Sequence, residues 1–144
     1  MKNMVVLIDT NVLLDYLETR EPYFEDSYRV LLLCAEEKAK GYMAFHSVPN
    51  IFYIMRRTHD KESRRELLNE ICNILTVAGA SHEKIVDAIN REDFPDFEDC
   101  LQVQCEKEIH ADYIVTRNVN DFTHSEIKAI TPGEFIKKMG NMGC

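Results

Sequence analysis

Residues Met4 to Ile8 form an unbroken apolar run that stops at Asp9-Thr10 and passes at once into a helical pattern carrying Val12, Leu13, Tyr16 and Leu17. A strand without polar alternation is one buried on both faces, which points to a parallel sheet held between helical layers. Asp9-Thr10 offers side chains that open a helix. The chain therefore starts as the first half of a βαβ unit.

The rest of the chain alternates in the same way. After Arg20-Glu21-Pro22 breaks the pattern, a long amphipathic helix is expected from about Tyr23 to Lys40, presenting Tyr28, Leu31, Leu32, Ala35 and Ala39 and ended by Gly41. Tyr42 to Phe45 reads as a second strand. Ser47 is expected to cap a helix through Ile51, Phe52, Ile54 and Met55, and Asp60 one through Leu67, Leu68, Ile71 and Leu75, with a strand near Ile74 to Val77. Helices follow from Ser81 and from Asp96. Tyr113 to Thr116 and Ile127 to Ile130 read as strands, and Thr131-Pro132 opens a last helix, where proline suits the first turn. Strands and helices alternating over short connections predict one α/β domain spanning residues 1–144 with a parallel sheet.

Composition narrows the class of function. A hydrophobic share of 45% with 29% charged residues suffices for a real core in 144 residues. The formal net charge of −8 speaks against a broad electropositive surface, so a nucleic-acid partner needs a local basic patch or metal ions. Cys34, Cys72, Cys100, Cys105 and Cys144 form an odd set without a CxxC, as expected of reduced thiols that mostly serve as small core residues. His46, His59, His82, His110 and His124 show no zinc-site spacing. Met1-Lys2-Asn3-Met4 has no signal-peptide pattern and no apolar run reaches membrane-spanning length, so a cytoplasmic protein without membrane association is expected.

Three acidic stretches fall where parallel strands end or helices begin: Val5-Val6-Leu7-Ile8-Asp9-Thr10-Asn11, Asp96-Phe97-Glu98-Asp99 and Thr116-Arg117-Asn118-Val119-Asn120-Asp121-Phe122. Ligands in such folds collect beyond the carboxyl ends of the strands. Taken singly, each acid has an ordinary explanation: Asp9 and Asp96 as helix caps, Asp99 as a favourable charge at a helix start, Asp121 as a turn residue beside Asn118 and Asn120. Asp96 and Asp99, three apart, also share a helix side and can converge on one ion, while Glu98 is expected to point away into solvent. The conjunction favours a metal site, because clustered carboxylates repel unless a cation neutralises them. Arg56, Arg57, Lys61, Arg64 and Arg65 form the one local basic cluster. They read either as phosphate contacts or as a solvated helix face paired with Asp60, Glu62 and Glu66.

The ordered set Leu7-Ile8-Asp9-Thr10-Asn11-Val12-Leu13-Leu14-Asp15, Phe94-Pro95-Asp96-Phe97-Glu98-Asp99, Ile114-Val115-Thr116-Arg117-Asn118-Val119-Asn120-Asp121-Phe122 and Thr131-Pro132-Gly133-Glu134-Phe135 resembles the PIN-domain nucleases, above all the single-domain VapC-type toxins of bacteria. The resemblance spans nearly the whole chain. It implies a three-layer α/β/α fold with a central parallel sheet of four to five strands, and a Mg²⁺- or Mn²⁺-dependent ribonuclease. It makes Asp9 and Asp99 catalytic metal ligands and places Asp121, or its neighbour Asn118, at the last ligand position, with Asp96, Asn11 and Asn118 as accessory groups and Thr116 orienting a ligand or water. It also implies an RNA substrate, a cognate antitoxin and a homodimer.

One position departs from the family pattern. Where a Glu is common after Ser47, this chain has Asn50, which brings an amide oxygen but no charge. Asn50 and the net negative charge are the reasons to weigh a second function, a catalytically weakened PIN fold that binds or regulates. A haloacid-dehalogenase-like phosphatase would want a second Asp where Asn11 stands, and a response-regulator receiver domain fails on similar grounds.

Overall fold

The computed structural model describes residues 3–94 and 96–142; Met1, Lys2, Cys144 and Pro95 of the late acidic motif lie outside them. Five parallel strands make one sheet: β1 (Met4–Ile8), β2 (Ala39–Ala44), β3 (Thr76–Ala78), β4 (Tyr113–Val115) and β5 (Lys128–Ile130), in the order β3-β2-β1-β4-β5. Helices α1 (Thr10–Leu17) and α2 (Phe24–Ala35) join β1 to β2, and α3 (Ser47–Ile54) and α4 (Lys61–Ile74) join β2 to β3. The return crosses through α5 (His82–Asn90) and α6 (Phe97–Ile109) to β4, and α7 (Pro132–Met142) closes the described chain.

The apolar run of β1 is buried on both faces as its composition demands. Val6 and Ile8 enter one core with Val12, Leu13, Val30, Ile71 and Phe135, while Leu7 enters the other with Ala88, Cys100, Val103 and Phe122. Alternating residues of a strand point to opposite faces, so one five-residue segment anchors two layers. Helices α1, α2, α4 and α7 contribute to the first core, and α5 and α6 to the second. This is the expected three-layer α/β/α fold with a parallel sheet at the upper end of the expected strand count.

Several elements differ from their sequence expectation. The long helix expected to Lys40 ends at Ala35, and its buried residues are Ser27, Val30, Leu31 and Cys34, leaving Tyr28 and Leu32 exposed. Ala39 to Gly41 instead pair with Met4 to Val6 as part of β2. Gly41 marks a close approach inside a strand: a β-carbon there would lie 2.5 Å from Leu75 Cδ2 and 2.6 Å from Cys34 Sγ. Ser47 does not cap α3; it is the first helical residue, and its hydroxyl meets Thr10 Oγ1 at 2.6 Å. Asp60, Ser81 and Asp96 do cap their helices, accepting from the backbone amides of Ser63, Lys84, and both Glu98 and Asp99. Of the described cysteines, Cys34, Cys100 and Cys105 are buried and Cys72 is exposed.

Among the described residues, two buried titratable side chains, His46 and Glu106, lack hydrogen-bond partners. Both ring nitrogens of His46 are unpaired, and burial pushes its pKa down to about 4. Glu106 on α6 is fully buried; Ser125 approaches without completing a hydrogen bond, and burial followed by the Glu126 charge pushes its pKa up to about 9. The neutral form therefore occupies the folded protein at neutral pH.

Two stability predictions follow from this packing. Gly41→Ala should lower stability by about 1–3 kcal/mol through overpacking, read as a reduced midpoint in urea unfolding with an unchanged slope. For Glu106 the folded protein holds a proton that the unfolded chain releases above its ordinary value of 4.5, so stability declines as pH rises from there toward about 9. Glu106→Gln should remove that decline, with a gain on the order of 3 kcal/mol at pH ~7. Thermal melts of both proteins at acidic and alkaline pH check it, and parallel pH profiles would refute it.

Candidate active site

Asp9 leaves the carboxyl end of β1 and carries the ladder one step further, its backbone amide donating to Val115 O at 3.0 Å. The residue stands at the helix N-cap position of α1, yet its side chain makes no capping hydrogen bond. Gln102 Nε2 donates to Oδ1 at 2.7 Å and Thr116 Oγ1 donates to Oδ2 at 2.8 Å. Thr116 Oγ1 in turn accepts from the Asn118 backbone amide at 3.0 Å. The carboxylate is 4% exposed, and burial raises its pKa against the lowering effect of Gln102, Thr116, the Thr10 amide and Arg117. The cap expected of Asp9 is therefore positional only, its carboxylate being held by Gln102 and Thr116.

The strand order turns between β1 and β4, since the chain runs outward to β3 on one side and returns to β4 and β5 on the other. A crevice opens at such a switch point. Here it is a cleft of 330 Å³ that brings together Asp9, Asp96, Asp99 and Asp121 with Asn11, Asn50 and Asn118. Asp99 is half-buried in the first turn of α6, and Asp121 lies in a 3₁₀ turn over Val119–Phe122. Thr116 stands behind Asp9, outside the cleft lining, with its hydroxyl on the Asp9 carboxylate.

Glu98 reverses its expectation. Its side chain is half-buried and lines the cleft, with Thr10 Oγ1 at 3.5 Å and the Asn50 side chain against it. Helical spacing alone turned it outward, but the cleft wraps around the first turn of α6, where successive residues fan across the open end. Thr10 and Ser47 tie α1 to α3 at this point, so Asn50 on α3 and Glu98 on α6 face each other.

Five carboxylates in one cleft repel. Asp99 is pushed up to about 7, first by burial and then by Asp96, Asp9, Asp121 and Glu98. Glu98 is raised too, by burial and then by Asp96 and Asp9, against the pull of Asn50. Among the described residues, no group of three or more His, Cys, Asp or Glu side chains stands close enough to grip a metal as it is. The donor set is nonetheless all oxygen, the chemistry of hard cations.

The basic cluster divides. Arg64 is buried to 9% exposure, with its guanidinium 4.2 Å over the Phe52 ring and Nη1 donating to Phe52 O at 2.8 Å. It braces α4 against α3 and is not available to a phosphate, which corrects its place among the expected RNA contacts. Arg56 stacks 3.7 Å over Tyr53, itself part of the cleft wall, and Arg57, Lys61 and Arg65 are exposed. Asp60, considered as an ion-pair partner, spends its carboxylate on the Ser63 amide.

Two supports outside the cleft's own acids hold the site, an ion pair and an amide. Asp15 is fully buried, and Arg117 grips it through Nε at 2.7 Å and Nη2 at 3.2 Å while lying 4.0 Å over Tyr23. Gln102 is the other. Asp15 and Arg117 belong to stretches already singled out, and an Asp on the apolar side of α1 was the available signal. Gln102 sits one turn after Asp99, a spacing that marks a shared helix side but names no partner.

The chain is thus a small α/β/α domain with an acidic cleft at the β1/β4 switch point. The PIN domain family matches residues 5–120, and the chain belongs to that family. No curated protein matches it. Among solved structures it is similar to VapBC2 from Rickettsia felis bound to a DNA fragment from their promoter, with 14% identity, a TM-score of 0.64, and coverage of 89% of this chain and 98% of that one. It is also similar to Mycobacterium tuberculosis VapC20, a sarcin-ricin loop cleaving toxin, at 11% identity and TM-score 0.65, covering 85% and 95%. VapBC-1 from nontypeable Haemophilus influenzae gives 15% and 0.61, covering 90% and 99%. At these identities the likeness establishes the shared fold.

Arg117→Ala would leave Asp15 buried without its main partner, and should destabilise the protein by about 2–4 kcal/mol, somewhat less than a fully buried pair because Arg117 is partly exposed. Arg117→Lys, which loses the bidentate grip, should recover only part of that loss in chemical denaturation. Equal stability of all three proteins would refute the clamp.

Proposed function

We propose that this chain is a divalent-metal-dependent ribonuclease of PIN type and the toxin of a toxin–antitoxin pair. The observation that carries the reading is the gathering of Asp9, Asp99 and Asp121 in one cleft at the carboxyl ends of β1 and β4. Those three residues would hold Mg²⁺ or Mn²⁺, whose hardness suits carboxylate oxygens. Burial and then the crowding of Asp96, Asp9, Asp121 and Glu98 lift Asp99 to about 7, and a divalent cation would relieve that crowding. Such a cation, when bound, activates water and stabilises charge developing on a phosphodiester.

The chain's own groups do the positioning. Gln102 and Thr116 immobilise Asp9, and Asp96 caps α6 so that its first turn presents Glu98 and Asp99 to the cleft. Asn11 and Asn118 offer amide groups to phosphate oxygens at the rim. Arg56, Arg57, Lys61 and Arg65 supply backbone contacts beyond α3, which carry salt dependence without sequence information.

The weakened binding module rests on Asn50, and Glu98 facing Asn50 supplies the carboxylate that position lacks. A cognate antitoxin would fit through a cationic side chain inserted between these acids, and a homodimer is the assembly proposed with it. No helix among the described residues is long and apolar enough to cross a membrane.

The test is cleavage of a mixed RNA pool with and without Mg²⁺ or Mn²⁺. Asp9→Asn and Asp99→Asn should each lose about 10²–10³-fold in rate, as for removal of one strong electrostatic group, with unchanged circular dichroism. Glu98→Gln should lose activity, and Asn50→Glu in that background should restore part of it. Full activity of both Asp variants, or cleavage indifferent to chelator, would sink the proposal.

A further inference from the structure

Beside the acidic cleft, and sharing Asn118 with it, lies a second pocket of 350 Å³, at the small end of the range for ligand sites. Tyr23 and Arg117 form one wall as a stacked pair 4.0 Å apart. Pro22 and Pro132 contribute rigid apolar edges, and Asp26 faces the start of α7, where a β-carbon on Gly133 would stand 3.4 Å from its Oδ2.

The charges of this pocket decide what it can take. Arg117 is committed to buried Asp15 through two donors, so its charge is cancelled and its plane is held still. Among the described residues Asp26 makes no ion pair, and it leaves the pocket with an unbalanced negative charge. With Arg117 committed to Asp15 and Asp26 facing the space, the pocket offers a phosphate no free cationic side chain. What fits is a flat, neutral group that stacks on an aromatic and guanidinium platform and offers hydrogen-bond donors to a carboxylate.

We infer that this pocket is a nucleobase subsite that receives the base next to the scissile phosphate and prefers guanine. Bases splayed from single-stranded RNA stack on tyrosine rings and arginine planes, and guanine alone presents two adjacent donors on its pairing edge to the two oxygens of one carboxylate. The shared Asn118 makes the pocket continuous with the cleft, so a strand crossing the acids would deliver its neighbouring base here. The inference rests on the ribonuclease reading for its place in the reaction, but binding of the base alone needs no metal and no cleavage.

The experiment uses the four free nucleosides with the full chain in metal-free buffer, read by saturation-transfer difference NMR. Guanosine should give the strongest signal. Asp26→Ala should weaken its binding about tenfold or more, as for loss of one bidentate pair, and Gly133→Leu, which fills the pocket from the other side, should do the same. Inorganic phosphate should not compete. Guanosine binding no better than uridine, binding retained in both variants, or displacement by phosphate would each overturn the subsite. In the presence of Mn²⁺, RNA cleavage maps should show guanine enriched beside the cut and Asp26→Ala evening out that preference. Cleavage by wild type with flanking bases unaltered by Asp26→Ala refutes the subsite alone. Guanosine binding lost in Asp26→Ala, with no cleavage by wild type, supports the pocket and refutes the ribonuclease reading.

Discussion

Asp9 sits at the junction of β1 and β4 with both carboxylate oxygens engaged, one by Gln102 from α6 and one by Thr116 from the end of β4. A charge this deeply buried is tolerated only when its hydrogen bonds are supplied by fixed neighbours. Those two donors come from opposite sides of the β1/β4 switch point, so the same contacts that satisfy the carboxylate also draw α6 toward the sheet. The α6 first turn then carries Glu98 and Asp99 to the cleft, and the chain after Thr116 carries Asn118 and Asp121. Remove the anchor and the acids have no common origin.

Around that anchor the structure keeps two electrostatic regimes apart. In the cleft, carboxylates face each other, and burial followed by their repulsion raises Asp99 and Glu98. A few residues away, Arg117 is consumed by Asp15 and pressed against Tyr23, a neutral and rigid unit. Thr116, Arg117 and Asn118 are consecutive, yet they serve the anchor, the clamp and the rim in turn. A three-residue strand followed at once by these side chains leaves little freedom to separate the roles.

The resemblance to VapBC and VapC structures lies in the fold. What this chain does with the fold is specific to its own side chains. The third position after Ser47 holds an amide in Asn50, and the carboxylate that meets it comes from Glu98 on the opposite wall. The cleft is thereby acidic on every side that α6 and β1 provide, and the neutral wall on α3 is faced by charge.

From sequence alone, the parallel sheet, the helical layers and the positions of Asp9, Asp96, Asp99 and Asp121 were legible, because apolar runs, caps and strand ends are local patterns in one dimension. Asp60, Ser81 and Asp96 announced their caps for the same reason. The end of α2 was misplaced because Lys38 to Gly41 can continue a helical pattern or begin a strand, and pairing with β1 decides between them. Glu98 was turned the wrong way because helical periodicity assumes a flat partner, whereas a cleft closes around the helix end. Gln102 on Asp9, Arg117 on Asp15 and Arg64 on Phe52 were invisible, since each joins residues distant in the chain or assigns a charged side chain to structure rather than solvent. The sequence by itself determined which elements form and which acids stand at their ends. Only the tertiary structure decided which of those acids face one another and what holds them, because burial and contact are properties of the packed layers and not of any segment.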